Sequence, residues 1–108
     1  MVRNRPWGSF EMFHHSFTKR EGRKILAVCD DGLLGEVLEG EEITLKVKEN
    51  FYGGEVIDDE ELLEKADKSG IINAVGSEAV SLLLENDFFD KDKILKIDGV
   101  EHAQMVEI

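Results

Sequence analysis

Three places in this 108-residue chain combine residue types capable of chemistry. His102 and Gln104 lie two apart, so on a strand they share one face. Their neighbours on that face are apolar, so the pair must find hydrogen bonds or line a cleft. There His102 would serve as a base or a ligand contact. Cys29 and Asp30 end an apolar run, and strand ends often carry sites. A Cys29–His102 nucleophile–base pair, oriented by Asn73 or Asp30, is conceivable, but a cysteine on an apolar strand is more often core. The third place is "NFYGGEVID", Asn50 to Asp58. Gly53-Gly54 is read first as a bend, with backbone angles that other residues resist. It becomes part of a site if Tyr52 and Glu55 line a cleft beside His102.

Other candidates are weaker. His14 and His15 are adjacent, point to opposite faces of a strand and cannot readily chelate one ion together. Gly76-Ser77-Glu78 opens a helix that could hold an anion, but no phosphate-loop or dinucleotide fingerprint is present and Glu78 would compete. The acidic run from Asp58 reads as helix capping. No metal-ligand spacing occurs, and neither a metal nor a cofactor is predicted.

The elements that must position these residues follow from periodicity. "SFEMFHHSF" (9–17) and "KILAVC" (24–29) read as a strand pair around Gly22. The second is apolar on both faces, as a covered central strand requires. Leu34, Val37 and Leu38 have helical spacing, so residues 30–40 predict a short helix closed by Gly40. "EITLKVK" (42–48) alternates strictly, with Ile43, Leu45 and Val47 inward. Asp58 as N-cap, Glu61 three residues on, and Ile57 with Leu62 as a staple predict a helix over 59–68, stopped by a left-handed Gly70. "IINAV" (71–75) is a strand or packed connector. A second helix follows over 78–86, capped by Ser77. Asp98-Gly99 predicts a two-residue hairpin that pairs Ile97 with Val100. It places His102 with Leu95, Ile97, Val100, Val106 and Ile108 on the core-facing side.

Charge narrows the classes of function. The net charge is −11: +4 over residues 1–24 (Arg3, Arg5, Lys19, Arg20, Arg23 and Lys24 against Glu11 and Glu21) and −15 over the rest. An acidic body disfavours non-specific nucleic-acid binding. The basic segment "RNRPWGSFEMFHH" keeps a local RNA contact open through Arg3, Arg5, Arg20 and Arg23, with Trp7 and Phe10 able to stack on bases. One cysteine allows no intrachain disulfide, no signal-peptide pattern opens the chain, and no run is long enough to span a membrane. These features predict a cytoplasmic protein with no membrane partner. A charged fraction of 34% with a single glutamine leans towards a thermophilic source.

"GRKILAVCDDGLLGE", "FYGGEVID", "INAVGSEAV" and "IDGVEHAQMVEI" together resemble a small archaeal family, domain of unknown function 424. The resemblance spans about residues 22–108 in order and spacing. It implies a cytoplasmic archaeal protein with a two-layer α+β fold, and it assigns no activity. The expected architecture is an irregular basic arm (1–8) followed by one α+β domain (9–108). That domain has a mixed or mainly antiparallel sheet with two main helices on one face. Three functions are carried forward. The first is a non-enzymatic binding or adaptor protein with a protein partner, monomeric or weakly dimeric. The second is an RNA- or ribonucleoprotein-associated factor. The third is a small-molecule enzyme centred on His102.

Overall fold

Asp98 and Gly99 both take positive φ, 55° and 77°. This is the twist a two-residue hairpin needs. Ile97 pairs with Val100, Lys96 with Glu101, and Leu95 with His102, the expected register. The structure, a computed structural model, describes residues 12–107. Its elements in chain order are β1 (Phe13–Arg20), β2 (Arg23–Asp30), β3 (Val37–Glu39), β4 (Thr44–Lys46), α1 (Glu49–Tyr52), β5 (Glu55–Ile57), α2 (Asp59–Asp67), β6 (Ile71–Val75), α3 (Ser77–Glu85), a 3₁₀ turn (Lys91–Lys93), β7 (Leu95–Ile97) and β8 (Val100–Val106).

Six strands form one sheet in the order β5-β1-β2-β6-β8-β7. Only β2–β6 is parallel; the other pairs are antiparallel. The fold is therefore α+β with a mixed, mainly antiparallel sheet. Helices α2 and α3 share one face, where Leu62, Ala66, Val80, Leu82 and Leu83 meet Phe13, Leu26, Val28, Ile72 and Ala74. The central strand β2 is covered on both sides, as its composition requires. Ala27 and Cys29 lie on the second face with Leu38, Val47, Tyr52, Val75 and Ile97. That cover comes from a separate two-stranded ribbon, β3–β4, together with α1.

Helix α2 starts as its sequence dictates, with the Asp58 carboxylate accepting from Glu61 N–H at 2.9 Å. Four other expectations are corrected. Residues 30–40 form two tight turns and then β3, because Gly32 and Gly35 both adopt left-handed φ (95° and 88°) and interrupt any helix. Residues 42–48 pair regularly only over Thr44–Lys46; Val47 is buried, but Ile43 at the ribbon tip is 51% exposed. Gly70 is not left-handed: its N–H donates to the Lys24 carbonyl at 2.9 Å and ties the end of α2 to the sheet. On β8, Ala103 packs against the helices, whereas Leu95 and Val106 on the His102 side are 51% and 48% exposed. The ribbon covers only one end of that face, towards the β7–β8 turn, and Ile108 lies outside the described residues.

Candidate functional site

Pairing registers sort the strand residues into faces. On the ribbon side, one row across the sheet runs His14, Cys29, Val75, His102 and Leu95, and the next runs Ser16, Ala27, Asn73 and Gln104. The ribbon and α1 lie over part of these rows and leave an open cleft of about 500 Å³. Asn73 and His102 form its floor, and Leu45, Lys46, Lys48, Asn50, Phe51 and Tyr52 form its wall. Among the described residues, no carboxylate lines it. A larger depression of about 610 Å³ at the ribbon tip is lined by Glu39, Glu41, Glu42 and Asp98 beside Lys96, with no histidine, tyrosine or amide among its described residues.

Half-buried His102 has its imidazole pKa lowered from 6.5 by burial, so at neutral pH the ring carries one donor and one acceptor. Burial first, and then neighbouring Cys29, push the Tyr52 phenol up to about 12, which keeps it a donor. Its ring meets Phe51 edge-to-face, with centroids 4.9 Å apart. Among the described residues, no side-chain hydrogen bond or ion pair engages Asn73, His102, Lys46 or Lys48.

The Cys29–His102 pair is not assembled. Val75 stands between them in the row, which puts them two strand spacings or roughly 10 Å apart. Cys29 is fully buried, and its thiol is pushed up to about 12 by burial and then by the charges of Asp30 and Asp31. A thiol held in that form is a poor nucleophile.

Asp30 has a structural task. Its Oδ2 and Oδ1 accept from Glu78 and Ala79 N–H at 2.9 and 2.8 Å, capping α3 from a different strand. The N-cap position itself is Gly76 at φ 113°, not Ser77. A Cβ on Gly76 would stand 2.3 Å from the Asp30 Cγ, so a glycine is required there twice over. The anion at this helix N-terminus is thus the chain's own carboxylate.

The glycine bend and the cleft share only one candidate. Tyr52 enters the cleft, whereas Glu55 sits on edge strand β5, where its carbonyl accepts from His15 Nδ1 at 2.8 Å. Neither Gly53 nor Gly54 is left-handed. They are glycines for space: a Cβ would come 2.8 Å from the Glu49 carbonyl oxygen at Gly53 and 2.8 Å from that of His15 at Gly54. Gln104 lies one row out from His102 and is exposed. His14 points to the other face from His15 and meets Asp31 at 3.2 Å. Arg20 and Arg23 pair beside the β1–β2 turn and are exposed. Arg3, Arg5, Trp7, Phe10 and the whole arm 1–8 lie outside the described residues. Among the described residues, no three His, Cys, Asp or Glu side chains gather as a metal site, and no helix is long and apolar enough to cross a membrane.

Sequence reading did not single out Lys46 or Lys48 as cleft residues, whereas Asn50 and Phe51 belong to the glycine stretch it marked. The two lysines were legible only as the outward side of an alternating strand. No local signal says which surface the ribbon folds onto.

A crystal structure of an uncharacterized conserved protein from Methanopyrus kandleri is similar to this chain. The TM-score is 0.67 and the identity 29%, over 87% of this chain and 90% of that one. No curated protein matches. The family described as "Protein of unknown function (DUF424)" matches residues 17–108, nearly all of the described domain and more than the four sequence blocks span. The chain belongs to the DUF424 family.

Proposed function

We propose that this protein is a non-enzymatic binding module whose ligand site is the cleft between the β3–β4 ribbon and strands β6 and β8. One observation carries the reading. The cleft gathers two amides, an imidazole and two ammonium groups, and among the described residues none of them has a side-chain partner and no carboxylate lines the cleft. Half-buried Asn73 and His102, without a side-chain partner among the described residues, favour a ligand that completes their hydrogen bonds. Lys46 and Lys48 make that ligand anionic.

Catalysis centred on His102 ranks second. A general base gains its orientation from a partner on the other ring nitrogen, and His102 has none among the described residues. The test is a proton–nitrogen correlation titration with inorganic phosphate, citrate and adenosine monophosphate as probes. The Asn73 side-chain amide and His102 ring signals should shift with at least one probe, and Asn73→Leu should abolish the response. Unmoved signals with all three at millimolar concentration would remove the reading.

A further inference from the structure

On the ribbon side of the six-stranded sheet, no strand position carries a carboxylate. The residues facing that way are Arg20, Thr18, Ser16 and His14 on β1, and Arg23, Ile25, Ala27 and Cys29 on β2. They continue as Ile71, Asn73 and Val75 on β6, then Val106, Gln104, His102 and Val100 on β8, with Leu95 and Ile97 on β7 and Val56 on β5. The whole chain has 24 Asp and Glu against 13 Lys and Arg, so this surface runs against its composition. The part not covered by the ribbon begins at the cleft with its two lysines and ends at Arg20 and Arg23. From Ala27, in the row of Asn73, to Arg23 is four residues, or about 13 Å along the strand.

We infer that this face binds a short stretch of single-stranded nucleic acid, with one base seated in the cleft. The inference deepens the binding-module reading and rests on it. The cleft supplies the three things a nucleotide needs. Asn73 and neutral His102 offer donors and acceptors to a base edge. Phe51, 40% exposed at the rim, offers an aromatic surface for stacking. Lys46 and Lys48 neutralise phosphate. Beyond the cleft, exposed Gln104 and the Arg20–Arg23 pair continue the track, and the carboxylates that come near it, Asp67 and Glu107 beside Arg23 and Asp31 beside His14, lie off its strand positions.

The overall charge of −11 opposes this, but its reach is limited. At physiological salt, exposed charges farther than about 8 Å are largely screened, so the local face dominates the contact. Binding should therefore be modest and strongly dependent on salt. With phosphates contacted by Lys46, Lys48, Arg20 and Arg23, the slope for a single strand is about −2 to −3. A threefold rise in salt then weakens binding by about ninefold to twenty-sevenfold.

The experiment is fluorescence anisotropy of the full chain with labelled oligouridylate and oligothymidylate of about ten nucleotides, at about 50 mM salt. Both arms carry the shared phosphate and base chemistry, and binding in either supports the inference. Lys46→Glu with Lys48→Glu should weaken binding at least about tenfold. Lys91→Glu with Lys93→Glu makes the same charge change on the 3₁₀ turn and should weaken it less than about threefold. Equal losses from the two pairs overturn the inference, because a diffuse field would then be responsible. It is also overturned if adenosine monophosphate binds as tightly as the oligomers. If neither oligomer binds while small anions still shift Asn73 and His102, the inference falls and the binding-module reading stands. If nothing shifts them, both fall.

Discussion

Gly76→Ala should be among the most damaging small substitutions in this protein. Two costs arise from its geometry. At φ 113°, an L side chain is strained by about 1–2 kcal/mol. Its Cβ would also stand 2.3, 2.5 and 2.7 Å from the Cγ, Oδ2 and Oδ1 of Asp30. The carboxylate must withdraw, and the Glu78 and Ala79 amides lose their acceptor. Loss of a helix cap costs about 1–2 kcal/mol, so the total is about 2–4 kcal/mol. Domains of this kind are stable by about 5–15 kcal/mol, so the loss is a substantial share. Urea unfolding followed by far-ultraviolet circular dichroism measures it. The decisive comparison is a cycle with Asp30→Ala. Once Asp30 is gone, Gly76→Ala should cost only its backbone strain, so the pair should be less than additive by about 1–2 kcal/mol. Additivity within about 0.5 kcal/mol, or a Gly76→Ala variant as stable as the parent, would refute the account of Asp30 as the cap and Gly76 as its clearance.

Three further outcomes are expected. Gly54→Ala places a Cβ 2.8 Å from the His15 carbonyl oxygen and should destabilise by about 1–3 kcal/mol in the same assay, although its φ is not left-handed; a neutral effect would show that the β1 edge yields freely. The His102 ring should titrate below 6.5 by proton resonance. The unfolded chain then takes up this proton first on acidification, so the stability His102 contributes above pH 6.5 is lost as pH falls through that window; His102→Gln should flatten the loss, and a midpoint above 6.5 would contradict it. Cys29 should resist a thiol reagent in the native protein and react only on unfolding; rapid native labelling would refute its burial. Its raised pKa carries the opposite sign from that of His102. Above about pH 9 the unfolded thiol ionises while the folded one stays protonated to about 12, so Cys29 contributes to alkaline unfolding.

The amino-acid sequence by itself determined the features that act over a few residues. Asp98-Gly99 demanded a tight hairpin and set its register. Asp58 and Glu61 started α2 through a hydrogen bond between near neighbours. The apolar character of both faces of residues 24–29 marked a central strand, because only such a strand buries both sides. Where two local signals competed, reading failed: the helical spacing of Leu34, Val37 and Leu38 was overruled by left-handed turns at Gly32 and Gly35.

Only the tertiary structure decided the rest. Asp30 caps a helix 48 and 49 residues further along the chain, and no periodicity encodes that. His102 was legible as a polar residue in need of a partner, and so was its shared face with Gln104. Its floor partner Asn73 comes from β6, and the lysines come from a ribbon folded over the sheet. The cleft exists because that ribbon covers one end of the face and leaves the rest open. That is a matter of how far one element reaches across another, and burial, charge and hydrogen-bonding groups meet there only after the chain has closed on itself.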